Sequence, residues 1–236
     1  MPNLQFSDIF DIQKSATLYA HDKRARLTDI LPETDAIEIH RCLTQDIEYS
    51  LALVSQNRNF SIPYSEWTAL ASEQKQQIIS DSHKDASTGQ GFIYDRHVKE
   101  TDRKQIKTFE AVETWLNSQP ILEWARAISG HSDIIATSAQ ATRYLPGQYL
   151  TRHKDTHPIE QRRMAYVLSF TPEWHPDWGG LLQFYQDDGT PREAWTPGFN
   201  TMSIFDVKHV HSVTYVAPFA PAPRLSITGW FRATPL

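Results

Sequence analysis

The second half of the chain is a succession of strand-like segments separated by turn signals, with no long helix between them. These segments are rich in β-branched and aromatic residues and occupy residues 134–145, 163–171, 180–186, 201–207, 211–217 and 224–233. Strands that follow one another without crossover helices are typical of an antiparallel barrel or sandwich. We therefore predict a β core over residues 136–236.

The first half shows a different pattern. Apolar residues at helical spacing predict helices over residues 22–31, 44–56, 64–80 and 109–118, with one short strand over residues 36–40. Residues 81–104 are polar and contain two glycines, so we expect a mobile loop or lid there, around a short apolar segment. The whole chain is then an α+β protein with one domain, residues 1–236. Residues 1–135 would form a mainly helical support and lid region for the β core.

Composition excludes several classes of protein and site. Cys42 is the only cysteine, so there is no internal disulfide, and any metal must be held by His, Asp or Glu. The formal net charge of −5 argues against nucleic acid as the main partner. No apolar run is long enough to cross a bilayer, and residues 1–15 lack the features of a secretory signal. We therefore expect a cytoplasmic protein without a membrane partner.

A histidine and an aspartate one residue apart, His153 and Asp155, are the first candidates for chemistry. In a strand, residues i and i+2 point to the same face, so both side chains can reach one point. Two histidines and one carboxylate on one face of a metal ion leave three positions open, as in non-haem iron(II) oxygenases. The third ligand should come from a distant strand, where His209 and His211 have the same parity and remain equal candidates, and His157 is a further one. Alone, the pair is a weak signal, because such pairs usually lie in surface strands.

The last strand carries a second polar pattern. Arg224, Ser226 and Thr228 alternate with other residues, which places a guanidinium and two hydroxyls on one face. A planar guanidinium donates in a fixed fork that suits a carboxylate. We therefore expect an anion site there, with a surface ion pair of Arg224 as the plainer alternative.

The ordered set of these residues resembles a known family. His153-x-Asp155, then His211, then Arg224-x-Ser226 follow one another as in the 2-oxoglutarate and iron(II) dependent oxygenases. The chain is most similar to the prolyl hydroxylase branch, and within it to intracellular enzymes that hydroxylate a proline of a ribosomal protein. The similarity covers residues 140–232 and includes the segments YLPG, RRMAYVLSFTPEW, GGLLQFY, NTMSIF and RLSITGWF.

The resemblance implies a fold and a site. The fold would be a double-stranded β-helix, a jelly-roll barrel whose open end holds the metal. His153, Asp155 and His211 would bind iron(II), with His211 preferred to His209 because HSV matches the family's last histidine. Arg224 would bind the distal carboxylate of 2-oxoglutarate. The rest of the cosubstrate site would consist of Tyr144, Ser226, Thr228 and Trp230.

The resemblance also implies a reaction. A substrate C–H bond would be hydroxylated while 2-oxoglutarate and O2 are converted to succinate and CO2. A prolyl residue of a protein or peptide is the expected target, and ascorbate is an expected accessory reductant. Ser169 departs from the family, because many prolyl hydroxylases have a tyrosine there that contacts 2-oxoglutarate. The ribosomal members also have a second barrel, whereas twelve residues follow Arg224 here. If that barrel helps to recruit the substrate, we expect this protein to recruit its substrate differently or to act on another one.

Several alternatives share parts of this pattern. A hydroxylase of a free amino acid or small metabolite would keep the same residues, as would a catalytically silent metal- and 2-oxoglutarate-binding module. A zinc hydrolase could use the same ligands but would leave Arg224 and Ser226 without a role. Nucleic-acid demethylases place a second arginine six residues after the first, where this chain has Trp230.

Overall fold

A computed structural model describes residues 4–98 and 105–236 of the chain. The strands in these ranges are β1 (Arg24–Thr28), β2 (Ser50–Ser55), β3 (Arg58–Pro63), β4 (Phe92–His97), β5 (Ala136–Tyr144), β6 (Tyr149–His153), β7 (Arg162–Phe170), β8 (Leu182–Tyr185), β9 (Pro191–Trp195), β10 (Phe199–Asp206), β11 (His211–Val213) and β12 (Arg224–Arg232). The helices are α1 (Ile12–Asp22), α2 (Glu33–Gln45), α3 (Tyr64–Ala69), α4 (Ser72–Ser87), α5 (Lys107–Leu116) and α6 (Gln119–Ser129). None of these helices combines the length and the apolar character needed to cross a bilayer.

The strands form one antiparallel sheet that curls into two layers. The larger layer has the order β1-β10-β7-β12-β5-β4, with β2 and β3 beyond β4, and the smaller layer has the order β6-β11-β8-β9. Strand β4 joins the two layers, because residues 95–97 pair with β5 while residues 92–93 pair with β6. The antiparallel β core predicted for the second half is therefore confirmed.

Helices cover the outer face of the larger layer. Alternate residues of each strand point to this side, and Leu168 of β7 and Ile227 of β12 belong to the same buried cluster as Ile39 of α2 and Leu116 of α5. The opposite face of these strands, which includes Val167, lines an internal cavity. The helices thus bury one face of the layer and leave the other face available for a site.

The strands predicted in the second half are all present. Strands β5, β7, β8, β10, β11 and β12 overlap the predicted ranges. In the first half, the helix predicted over residues 109–118 is confirmed as α5, and the helix predicted over residues 64–80 is divided into α3 and α4.

Three other predictions in the first half are wrong. Residues 22–31 contain β1, because this segment forms a ladder with β10 instead of a helix. Residues 36–40 lie in α2, where Ala36, Ile39 and Leu43 are buried at helical spacing. Residues 44–56 contain β2, which pairs with β3 and β4. In all three segments, long-range pairing or packing outweighed the short local pattern.

The loop or lid expected over residues 81–104 is also largely wrong. Residues 81–87 complete α4 and residues 92–97 form β4, while residues 99–104 lie outside the described part of the chain. The division into a helical region, residues 1–135, and a β core, residues 136–236, stays a prediction. Strands β1 and β4 of the first region are nevertheless hydrogen-bonded to strands of the second.

Candidate active site

Three side chains with metal-binding groups meet inside the curled sheet. His153 is the last residue of β6, His211 is the first residue of β11, and the two are opposite each other in the register of these strands. Asp155 lies two residues beyond β6, where its backbone N–H donates to the carbonyl of Val207 at 3.1 Å. One ligand atom of each lies within 4.8 Å of the others. Alternation within a single strand therefore does not place Asp155, because β6 has already ended; the hydrogen bond to Val207 holds it instead.

Each histidine is oriented by its own backbone. Nδ1 of His153 is 3.0 Å from the carbonyl oxygen of Thr151, and Nδ1 of His211 is 3.0 Å from the carbonyl oxygen of His209. Because a carbonyl only accepts, Nδ1 carries the proton of a neutral ring and Nε2 keeps its lone pair. The two Nε2 atoms are 3.5 and 3.3 Å from the carboxylate oxygens of Asp155. Lone pairs and a carboxylate that face one another fit a cation between them.

Burial and mutual charge shift the pKa values of this group. Burial lowers the pKa of His211 to about 4, against the attraction of Asp155. Burial also opposes protonation of His153, but the hydrogen bond and charge of Asp155 outweigh it and raise the pKa. For Asp155, burial works against ionisation, yet the two histidines lower the pKa to about 2. Asp155 is therefore ionised and His211 neutral at neutral pH, the states in which both groups bind metals.

The other two candidate histidines are not part of this cluster, although His157 lines the same cavity. Nε2 of His209 is 2.9 Å from the carbonyl oxygen of Asp22 at the end of α1, because the chain bends between β10 and β11. Nδ1 of His157 accepts a hydrogen bond from the backbone N–H of Glu160 at 3.1 Å. The structure therefore identifies His211, and not His209, as the third member of the cluster, a choice that strand parity could not make.

Arg224 is a buried cation without a counter-ion in the described part of the chain. It opens β12, is 2% exposed, and its Cζ lies 5.0 Å from the ring centroid of Tyr144. Burial lowers the pKa of Arg224, and no carboxylate among the described residues offsets this effect. An isolated buried charge is strongly destabilising, so this position fits an anionic ligand rather than the surface ion pair considered above.

The other residues predicted for the cosubstrate site divide into two groups. Tyr144, Thr228 and Trp230 line the same cavity as Arg224 and the three metal-binding side chains. The indole N–H of Trp230 helps to lower the pKa of Asp155, although it falls short of ordinary hydrogen-bond geometry. Ser226 is fully buried and does not line the cavity; its hydroxyl oxygen is 2.8 Å from Oγ1 of Thr142.

Unpartnered polar atoms are concentrated on this side of the sheet. Nε of Arg224, Nε of Arg96, Nε1 of Trp230 and Oγ of Ser169 are buried without a hydrogen-bond partner among the described residues. Buried polar groups are normally satisfied, so such a concentration indicates a ligand site. Ser169, which stands where a tyrosine was expected from the family pattern, faces Ser226 in the β7–β12 register.

Arg96 was not predicted from the sequence. It lies on β4 opposite Thr142 of β5 and lines the cavity, which has a volume of about 580 Å³. The signal that could have found it is the alternation of Tyr94 and Arg96 along a strand, in a segment that the polar composition assigned to a loop.

A buried carboxylate fixes the turn that leads into β6. Asp95 is fully buried and accepts hydrogen bonds, each at 2.8 Å, from the Tyr64 hydroxyl, Nε of Arg143 and Nε2 of Gln148. Oε1 of Gln148 in turn accepts from the backbone N–H of Leu145 at 2.9 Å. This network therefore holds both ends of the Pro-Gly turn, and β6 delivers His153 from it.

The second half of the chain is similar to a known family of proteins. Residues 139–232 match the family model of the 2OG-Fe(II) oxygenase superfamily. The chain is 35% identical over 85 residues to the prolyl 3-hydroxylase OGFOD1 of Xenopus laevis, a match that covers 33% of this chain and 16% of that protein. The chain thus corresponds to a small part of this curated relative.

Two solved structures resemble the whole fold. One is a prolyl-4-hydroxylase from Pseudomonas putida, with a TM-score of 0.62 and 17% identity over 95% of this chain and 100% of that chain. The other is a prolyl hydroxylase from Trichoplax adhaerens, solved in complex with a peptide fragment of the hypoxia inducible factor oxygen degradation domain. Its TM-score is 0.61, with 14% identity over 94% of this chain and 90% of that chain. The predicted double-stranded β-helix is confirmed by these likenesses.

Residues 139–232, less than half of the chain, thus resemble the 2OG-Fe(II) oxygenase superfamily. The resemblance to its prolyl hydroxylase branch, first indicated by the order of His153, Asp155, His211 and Arg224, is confirmed by the same comparisons.

Proposed function

We propose that the chain is a 2-oxoglutarate- and iron(II)-dependent dioxygenase that hydroxylates a C–H bond. The observation that carries this proposal is the buried guanidinium of Arg224, which has no ion-pair partner among the described residues and lies in one cavity with His153, Asp155 and His211. A metal-binding cluster alone would suit many functions. A cationic anchor in the same cavity is what a metal-bound keto acid with a second, distal carboxylate requires.

Iron(II) would be held by His153, Asp155 and His211. Two neutral imidazoles and one carboxylate suit a first-row divalent ion, and as three ligands they leave positions open for other molecules. When bound, iron(II) with 2-oxoglutarate and O2 supplies the oxidising chemistry for C–H hydroxylation, with succinate and CO2 as the other products.

The side chains of this chain would bind and orient the reactants. Arg224 pairs with the distal carboxylate of 2-oxoglutarate, and Tyr144 and Thr228 line the cavity beside it. The ring of Trp230 is fixed by Arg162, whose Cζ lies 3.5 Å from the ring centroid. A rigid wall beside the carboxylate ligand limits how the substrate carbon can approach the metal.

A prolyl residue of a protein or peptide is the substrate that we propose. Support comes from the relative named prolyl 3-hydroxylase and from two solved prolyl hydroxylases, one of them in complex with a peptide. Mass-spectrometric and NMR analysis of a hydroxylated peptide would decide between C3 and C4 of the ring. A role for ascorbate and a cytoplasmic location stay predictions, which turnover with and without ascorbate and cell fractionation would check.

The test of the proposal is an anaerobic titration of the protein with iron(II) and then 2-oxoglutarate, followed by visible absorption. We expect a metal-to-ligand charge-transfer band in the wild type and in His209→Ala, but not in His211→Ala. Arg224→Ala should weaken 2-oxoglutarate binding at least about tenfold, because a charge-assisted hydrogen-bond pair is lost.

Admission of O2 separates the remaining outcomes. Succinate formed with hydroxylated prolyl peptide supports the full proposal, whereas hydroxylation of a free amino acid alone would contradict the proposed substrate. A band without any succinate would indicate a catalytically silent binding module. Absence of both band and succinate in the wild type would refute the dioxygenase proposal.

A further inference from the structure

Arg96 occupies a place in the cavity that the proposed chemistry does not use. It pairs in register with Thr142 of β5, whereas Arg224 pairs with Tyr144, two residues further along the same strand. Two residues of a strand span about 7 Å, so the two guanidinium groups start from different rows of the sheet. Nε of Arg96 is buried without a hydrogen-bond partner among the described residues. Its position on another strand and in another row leaves Arg96 free for a role distinct from that of the cosubstrate anchor.

The cavity lining has an excess of positive charge. Arg96, Arg224 and the exposed side chains of Arg152 and Lys154 line it, whereas Asp155 is the only acidic residue among the described lining residues. The chain as a whole has a net charge of −5, so this excess is a local property of the cavity. Once Asp155 holds the metal and Arg224 holds the cosubstrate, the remaining cations attract a negatively charged substrate.

A surface groove adjoins the cavity. This groove has a volume of about 810 Å³ and shares Leu150, Thr151 and Arg152 with the cavity. It passes the aromatic side chains of Tyr149 and Tyr215. A groove next to the cavity suits a peptide that extends beyond the cavity, more than it suits a small metabolite.

We infer that Arg96 is a specificity-determining residue that binds a substrate carboxylate, and that the substrate is an acidic peptide with aspartate or glutamate next to the target proline. The inference rests on the proposed function and adds the class of peptide. Arg96 supplies a fork of donors inside the cavity, where an unpartnered Nε is already desolvated. Arg152 and Lys154 extend the same preference to residues further along the peptide.

The experiment compares two blocked heptapeptides that each contain one proline, flanked by aspartates in the first and by asparagines in the second. Their binding to protein loaded anaerobically with iron(II) and 2-oxoglutarate is followed by calorimetry. We expect wild type to bind the aspartate peptide at least about tenfold more tightly, as a charge-assisted hydrogen bond provides. Arg96→Gln should bind both peptides equally, and Arg96→Lys should retain part of the preference.

Two controls make the outcomes distinct. Arg26→Gln removes an exposed arginine that does not line the cavity, so the preference should remain as in wild type. The charge-transfer band of iron(II) and 2-oxoglutarate should be unchanged in Arg96→Gln. A band that is lost in Arg96→Gln alone would assign Arg96 to the cosubstrate site and overturn the inference.

Two other results would also overturn the inference about Arg96. One is an equal affinity of wild type for both peptides, and the other is a preference for the aspartate peptide that persists in Arg96→Gln. Competition by free proline that depends on Arg96, without binding of the aspartate peptide, would assign the carboxylate to a small molecule instead. Failure of the proposed function is recognised separately, because wild type would then show no charge-transfer band with any peptide.

Discussion

Replacement of Arg224 by methionine should stabilise the protein without cosubstrate and destabilise it, relative to wild type, when 2-oxoglutarate is present. Arg224 is 2% exposed and has no ion-pair partner among the described residues. Replacing a buried charge by an apolar side chain of similar size gains about 1–4 kcal/mol. Loss of the contact with the Tyr144 ring, at 5.0 Å, costs about 1–2 kcal/mol. The net expectation is a gain of about 1 kcal/mol, or a rise in Tm of about 2–4 °C.

Binding of 2-oxoglutarate should make wild type more stable than Arg224→Met. At a 2-oxoglutarate concentration of 100 times Kd, wild type gains about 2.7 kcal/mol, while Arg224→Met gains nothing if its affinity is lost. Wild type should then be the more stable protein by about 2 kcal/mol. Thermal unfolding of both proteins with anaerobic iron(II), over a series of 2-oxoglutarate concentrations, would show the two Tm curves crossing. An Arg224→Met variant that is less stable than wild type without cosubstrate would refute the reasoning, because Arg224 would then be held by interactions within the protein.

Three further predictions concern stability. Arg143→Met should lower the free energy of unfolding by about 3–5 kcal/mol in urea denaturation, because it leaves the carboxylate of Asp95 buried and uncompensated; a loss below 1 kcal/mol would contradict this. Gly229→Ala should cost about 1–3 kcal/mol in the same assay, because its Cβ would collide with the backbone carbonyl of Ser138 on the neighbouring strand, and an unchanged midpoint would show that the strands can separate. Although burial favours its protonation, the pKa of Asp22 lies below the usual 3.8 because two arginines bind it. The stabilisation that ionised Asp22 provides is therefore fully present above pH 3.8, the ordinary pKa of the group in the unfolded chain. It is lost as the pH falls through the lower pKa of the folded state. Asp22→Asn should thus lower stability at pH 7 and have no effect well below the folded pKa, and an equal loss at both pH values would disprove the electrostatic origin.

Strands β5, β7, β10 and β12 of the second half were predictable because each has one face in the helix-covered core and the other face toward the cavity. In β12, Leu225, Ile227 and Phe231 are buried in the core, while the residues between them include the cavity-lining Thr228 and Trp230. This alternation is visible in the sequence without any knowledge of neighbouring strands. The strands of the first half lack this alternation. Strand β1 is specified by its ladder with β10, a partner more than 170 residues away, and no local pattern records such a pairing.

Part of the site was also predictable from strand alternation. The i, i+2 spacing predicted that the side chains of His153 and Asp155 reach the same point. The actual placement of Asp155 depends on a hydrogen bond to Val207 in a distant turn. The choice of His211 over His209 came from the family resemblance, and the structure explains it by the bend that directs His209 to Asp22. Arg96 was missed because the polar composition of residues 81–104 led to the prediction of a loop, which hid the alternation of Tyr94 and Arg96 along a strand.

The backbone hydrogen bonds of His153 and His211 have a consequence for mutational tolerance. Each imidazole is oriented by a main-chain carbonyl two residues earlier, and almost no side-chain substitution can remove a main-chain carbonyl. Metal sites whose histidines depend on a carboxylate side chain lose orientation when that one residue mutates. Here, neighbouring positions can vary while both rings keep their direction. The cavity wall is therefore free to diversify, so that new substrates can be accommodated around an unchanged metal centre.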